Sequence, residues 1–292
     1  MTEAGADLAG SSGTRPAQAD KAARFLVLHG GPAPLLMPNP WDAGSAKLLA
    51  SLGFEALATT SSGFAATLGR LDGAVSREEA LAHAASIVAA TDLPVSADLE
   101  NCFADDPAGV ATTVRLALDT GLAGCSIEDF GRRPDARIYD ARLAAERVAA
   151  AAEVAHAGPV HLVITARAEN HIRGNPDLAD TIARLQAYQE AGADVLFAPG
   201  VTDLDEVRQL VAAVDRPVNV LPGPGAPTVA ELGEVGVRRI SVGGAFAFAA
   251  LAGVVDAARE LWDQGSYGFR ERSRIGLAAA RQAFADTEGS GS

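Results

Sequence analysis

Two cysteines among 292 residues, Cys102 and Cys125, are too few for a disulfide framework or a thiolate metal site. A reducing cytoplasm is therefore the expected setting. Basic residues are also scarce: 24 Lys and Arg against 37 Asp and Glu leave a net charge of −13. No basic stripe offsets this, so a polyanion is repelled and nucleic acid is not an expected partner. No stretch approaches the roughly 18 uninterrupted apolar residues of a membrane span. The start, MTEAGADLAGSSGTRPAQAD, lacks the basic start and apolar run of a signal peptide. The five histidines form no obvious ligand pair.

What is present is a globular composition, 48% hydrophobic, with 30 glycines and 15 prolines. Residues 1–22 and 287–292 hold little that can bury a face and are expected to be disordered tails. Residues 23–286 form the expected domain, a barrel with a C-terminal helical extension. Short apolar runs at 34–38, 55–60, 93–98, 123–129, 160–167, 193–199, 216–221 and 238–244 alternate there with alanine-rich helical patterns. Ser76 followed by Glu79 is a capping-box start. Parallel strands need crossover helices, and doubly buried strands read as continuous apolar runs. Eight such units predict an α/β fold, a single (β/α)8 TIM barrel; a doubly wound open sheet is the competing architecture.

A (β/α)8 barrel carries its chemistry at the C-terminal ends of its strands. Those ends carry Asn39 and Asp42, then Thr60-Ser61-Ser62 with Asp72 in the next loop, Asp98 and Glu100, Glu128 and Asp129, Arg167, Glu169 and His171, and Asn219. Clustered carboxylates repel one another unless positive charge sits among them. An oxygen-only cluster suits a hard cation, Mg²⁺ or Mn²⁺. Arg167 offers the planar fork that clamps a carboxylate or phosphate.

Acids after strands also serve as helix N-caps, a role that fits Asp105, Asp129, Asp177 and Asp203. Asp98, Glu100 and Glu128 precede their helices by too many residues to cap them. His29, His83 and His156 are expected at the surface, and His161 at the end opposite the site. His171 is the histidine placed near the mouth. Both cysteines read as space-filling residues. Arg132 and Tyr139 fall in the loop after strand four, where a lid would sit.

NPWDAGSAKLLASLGFEALATTSSGFAATLG, the acid pair after strand three, GCSIED and TARAE together resemble the isocitrate lyase/phosphoenolpyruvate mutase superfamily over roughly residues 23 to 265. The resemblance implies cleavage or formation of a C–C or P–C bond beside a 2-oxo or 2-hydroxy acid, through a Mg²⁺-bound enolate. It implies metal-shell roles for Asp98, Glu100 and Glu128, with Asp72 matching the acid of the loop after strand two. Arg167 matches the substrate-binding arginine, and the Thr60-Ser61-Ser62 backbone a cradle for a carboxylate or oxyanion. It also implies barrels that pair by swapping a last helix, here about 273–285, into dimers and tetramers.

The chain departs from that pattern in the loop after strand four. EDFGRRPDARIYD contains neither the Lys-(Lys/Arg)-Cys-Gly-His loop of the lyases nor the lysine loop of the mutases. Position 100 is Glu, where the family usually has Asp. Decarboxylation of an oxaloacetate-like acid needs no base; a retro-aldol cleavage needs Tyr139, His171 or a water. The expected function is therefore a Mg²⁺-dependent C–C lyase of a small carboxylate, like an oxaloacetate decarboxylase or a methylisocitrate lyase. The alternatives are a phosphonopyruvate-type P–C enzyme, a phosphate-binding barrel using GPGAP and VGGAF, or a non-catalytic 2-oxoacid-binding homologue.

Overall fold

The structure, a computed structural model, describes residues 16–131 and 137–285. Residues 1–15 and 287–292 of the expected tails, together with Asp286 and Arg132, lie outside the described residues. Eight strands form one parallel sheet: β1 (Leu35–Met37), β2 (Leu57–Ala58), β3 (Val95–Asp98), β4 (Gly124–Glu128), β5 (Val163–Arg167), β6 (Val195–Phe197), β7 (Val218–Val220) and β8 (Arg239–Ser241). The order runs β1-β8-β7-β6-β5-β4-β3-β2. Between β1 and β2 the backbone N–H of Ala58 donates to Pro38 O at 3.1 Å, so the sheet is nearly closed. This is the expected single (β/α)8 barrel, each strand lying inside one of the apolar runs.

The helices are α1 (Gln18–Leu28), α2 (Ala43–Ser51), α3 (Ser61–Thr67), α4 (Arg77–Ala90), α5 (Pro107–Leu118), α6 (Ala141–His156), α7 (Leu178–Glu190), α8 (Leu204–Ala212), α9 (Val229–Glu234), α10 (Ala245–Arg259) and α11 (Phe269–Ala285). Ser76 and Glu79 form the expected capping box of α4. Asp177 and Asp203 cap α7 and α8, as acids after strands often do. Asp106, not Asp105, caps α5. Asp129 is no cap: its buried carboxylate accepts from Tyr188 Oη at 2.6 Å, the Glu169 N–H at 2.8 Å and Arg184 at 3.1 Å. The helix expected to swap, α11, packs on α2 of its own chain.

The boundary of the N-terminal tail needs correction. Helix α1 begins at Gln18, inside the stretch assigned to disorder, and closes the bottom of the barrel. Phe25 is fully buried against Gly124, where a Cβ would meet its ring at 2.8 Å and the Val163 carbonyl at 2.7 Å. Gln18 donates to the carbonyls of Leu118 and Leu122, and Lys21 to that of Thr91, so polar residues fasten the plug as well. Little in the sequence marks this, because the buried face is Lys21, Ala22 and Phe25 while the apolar Leu26 and Val27 stay exposed.

His29 and His83 were both expected at the surface, and both are buried. His83 stacks on Phe64 and reaches the Trp41 carbonyl. His29 lies under the barrel, its Nδ1 2.7 Å from Phe25 O and its Nε2 3.3 Å from Arg239 Nη1. Arg239 points into the barrel interior and also donates to Thr165 Oγ1 and Asn219 Oδ1. An arginine donor at Nε2 requires a neutral imidazole. Burial first, and then the charge of Arg239, push the His29 pKa down to about 3. The unfolded chain takes up this proton below the ordinary value of 6.5, whereas the folded chain resists until about 3. Stability is therefore present above pH 6.5 and lost as pH falls through that window. His29→Gln should shrink the loss of unfolding free energy between about pH 6 and pH 4.5 by roughly 2 kcal/mol, read by urea titration. An unchanged pH difference would contradict this placement of the ring.

Candidate active site at the barrel mouth

Strand register brings the acids together. Asp98 pairs with Ser126 across β3–β4, and Glu128 with Arg167 across β4–β5. Three neighbouring strands thus deliver two carboxylates and a guanidinium to one rim. Arg167 Nη1 lies 2.9 Å from Asp98 Oδ1, Nη2 lies 3.2 Å from Glu128 Oε2, and Nε and Nη2 lie 3.0 and 2.8 Å from Glu169 Oε1. Arg173, packed on the Phe130 ring, adds a contact to Glu169 at 3.2 Å. Burial opposes the Arg167 charge, but Glu169, Glu128 and Asp98 outweigh it and hold the guanidinium firmly protonated. Burial, together with Glu169, Asp98 and Glu100, pushes the Glu128 carboxyl well above the usual range despite Arg167. The acids outnumber the guanidinium that they share.

A cavity of about 220 Å³ opens above Arg167. Thr60, Ser61, Ser62, Asp72, Asp98, Arg167 and Asn219, all expected at the site, line it. Ser61 N–H, at the start of α3, points at Asp98 Oδ2 at 3.3 Å. Asp72 stands exposed at the rim, and Asn219 is locked on the floor by Ser241 and Arg239. A larger groove of about 650 Å³ elsewhere, between the end of α1 and the α2–β2 turn, has Glu55 as its one titratable group, so size does not locate the chemistry.

Four expected residues lie off the cavity wall. Glu128 sits behind Arg167, and Glu100 is buried in the loop after β3. In that loop Glu100, Cys102 and Phe103 all adopt positive φ, 51°, 57° and 54°, a strained path for residues that are not glycine. Tyr139 turns its hydroxyl to Asp105 and Asn101, and burial followed by the Asp105 hydrogen bond raises its pKa. His171 packs beside Gly200, its Nε2 buried without a hydrogen-bond partner.

A model of the family described as Phosphoenolpyruvate phosphomutase matches residues 25–262. The chain belongs to that family. Within the phosphoenolpyruvate phosphomutase family and its superfamily, three likenesses are informative. A Burkholderia cenocepacia J2315 protein assigned as a lyase/mutase is 51% identical, with a TM-score of 0.85 over 87% of this chain and 92% of that one. The 2-methylisocitrate lyase of Escherichia coli K12 is 33% identical over 193 residues, 63% of this chain and 64% of that enzyme. A 2,3-dimethylmalate lyase, a PEP mutase/isocitrate lyase superfamily member, is 27% identical, with a TM-score of 0.77 over 85% of this chain and 89% of that one. This phosphoenolpyruvate phosphomutase-family chain is thus an enzyme of the C–C or P–C bond lyase type.

Three further residues position the site: Asn39, legible as a strand-end residue, and Arg147 and Arg173, which gave no sequence signal strong enough to single them out. Asn39 donates to Thr59 O and accepts from the N–H groups of Val242 and Gly243, joining the ends of β1, β2 and β8. Arg147, 1% exposed in mid-α6, donates to the carbonyls of Glu128, Asn101 and Ala104 and so fixes both acid-bearing loops. Arg173 completes the charge cluster from the loop after β5.

Proposed function

We propose that this enzyme is a Mg²⁺-dependent lyase that cleaves a C–C bond beside the carbonyl or hydroxyl of a small 2-oxo or 2-hydroxy carboxylate. The observation that carries this reading is the surplus of buried carboxylate around Arg167. Asp98, Glu128 and Glu169 share that guanidinium, with Glu100 close behind. Such an all-oxygen, anion-rich donor set fits a hard divalent cation, Mg²⁺ before Mn²⁺. Asp98, Glu100 and Glu128 would hold the ion and its waters. A bound Mg²⁺ supplies Lewis-acid stabilisation of the negative charge that develops on the substrate oxygen.

The chain's own groups do the rest. Arg167 turns its fork to a substrate carboxylate when the acids no longer need its whole charge. The Ser61 and Ser62 N–H groups at the start of α3 donate to a second carboxylate or oxyanion oxygen. Asn219 and Asp72 bound the cavity on its floor and rim. Neither cysteine takes part. Both are free and buried, and burial pushes the Cys102 thiol up to about 12. Inert, reduced thiols also suit a cytoplasmic enzyme, and no described helix is long and apolar enough to cross a membrane.

A P–C bond enzyme acting on a phosphonopyruvate-like acid is the second reading, favoured by the description of the matching family model. A coupled assay of pyruvate release from oxaloacetate, 2-methylisocitrate, 2,3-dimethylmalate and phosphonopyruvate separates the two. We expect EDTA-sensitive release from a C–C substrate, falling by about 100-fold or more in Glu128→Gln. Release from phosphonopyruvate alone supports the second reading. Silence across the panel, without Mg²⁺-dependent protection by oxalate in thermal melts, contradicts both.

Self-association belongs to the same reading. Phe248, Leu251, Val254 and Val255 on α10, with Leu261 and Trp262 just beyond, leave an apolar strip exposed, and Trp262 is 90% accessible. Light scattering should give a dimer or tetramer, and Trp262→Asp should shift it toward the monomer. A wild-type monomer at micromolar concentration would contradict this.

A further inference from the structure

The bottom of the barrel holds a second convergence of ligating side chains, independent of the reading at the mouth. His156 ends α6, His161 leads into β5, and Asp194 directly precedes β6. Five residues apart along the chain, the two histidines follow no familiar ligand spacing. The turn at Gly158-Pro159 folds them back on each other, with ring centroids 4.0 Å apart and planes 8° from parallel. Both present the same edge to one carboxylate. His156 Nε2 lies 3.1 Å from Asp194 Oδ2, and His161 Nε2 lies 2.9 Å from Oδ1. The Ile164 N–H donates to Oδ2 at 2.8 Å and fixes the carboxylate in place. The Asp194 side chain is 8% exposed, but those of His156 and His161 are 26% and 40% exposed, so solvent reaches the cluster.

We propose that His156, His161 and Asp194 form a Zn²⁺ site. One ligand atom from each lies within 4.8 Å of the others. Two imidazole nitrogens and one carboxylate oxygen suit a borderline cation, whereas Mg²⁺ prefers oxygen alone. With bonds of about 2.0–2.2 Å in a tetrahedron, ligand atoms stand about 3.3–3.6 Å apart. The N···O separations of 2.9 and 3.1 Å run to the two different Asp194 oxygens, so to admit the ion the two stacked rings must rotate apart until both Nε2 lone pairs point at it. Bound to the ion through Nε2, each ring carries its proton on Nδ1, where water accepts the hydrogen bond. Water fills the fourth position on the open side of His161. The ion ties the end of α6 to the entries of β5 and β6, at the end of the barrel given to stability rather than chemistry. Because it binds the folded chain, it raises the melting temperature by mass action.

The test is equilibrium dialysis of the full chain against Zn²⁺ with Mg²⁺ in excess, with metal counted by mass spectrometry and Co²⁺ as the optical probe. Wild type and Glu128→Gln should each retain one Zn²⁺ per chain and give the visible absorption of four-coordinate Co²⁺. His161→Gln and His156→Gln should weaken binding by at least about tenfold and lose the thermal stabilisation by Zn²⁺. Far-UV circular dichroism checks that each variant is folded; His161, at the surface, is the substitution the fold tolerates best. No stoichiometric uptake by wild type overturns the proposal. So does uptake that survives His161→Gln with circular dichroism unchanged, or uptake that disappears in Glu128→Gln.

Discussion

Arg167 among Asp98, Glu128 and Glu169 is the interaction on which the upper half of the molecule depends. Parallel pairing in fixed register puts the ends of β3, β4 and β5 side by side, and each of those ends carries charge. Buried charges are stable only when paired and hydrogen-bonded. The guanidinium meets that need with three acids at 3.2 Å or less. The loops beyond then have little freedom. Arg147 grips their carbonyls from below, and Asp129 collects the Glu169 N–H, Tyr188 and Arg184. Three residues accept left-handed backbone in the loop after β3, a cost that surrounding contacts offset.

The barrel interior carries a second arginine, and the two are coupled. Burial first, then the charge of Arg167, lower the Arg239 pKa to about 9. Arg239 rests on neutral partners, Asn219, Thr165 and His29, and makes no ion pair among the described residues. Asp98, Glu128 and Glu169 are gathered instead at the top, around Arg167. The plug helix α1, which places His29, is thus linked through Arg239 to Asn219 on the cavity floor.

The strands were legible because burial on both faces leaves a continuous apolar run, and all eight fall within the expected stretches. The acids at the ends of β3 and β4 and Arg167 were legible because a barrel exposes its strand ends on one side. Histidines were misread for the opposite reason: local sequence does not show what packs over a ring. His29 and His83 are covered by α1 and α3, and His156 stacks on His161, which does lie at the end opposite the site as expected. Arg147 and Arg173 look like ordinary surface arginines until tertiary contacts place them. The direction of the Tyr139 hydroxyl, toward Asp105, was equally invisible.

On the proposed reading, the acids at the mouth take a divalent cation while Arg167 takes the substrate carboxylate. Electron paramagnetic resonance of Mn²⁺, titrated with and without oxalate, tests both halves at once. Wild type should bind Mn²⁺ and change its spectrum when oxalate is added. Asp98→Asn should weaken Mn²⁺ binding by at least about tenfold, whereas Arg167→Gln should keep the ion and lose the response to oxalate. Mn²⁺ binding indifferent to Asp98→Asn, or an oxalate response intact in Arg167→Gln, would contradict it.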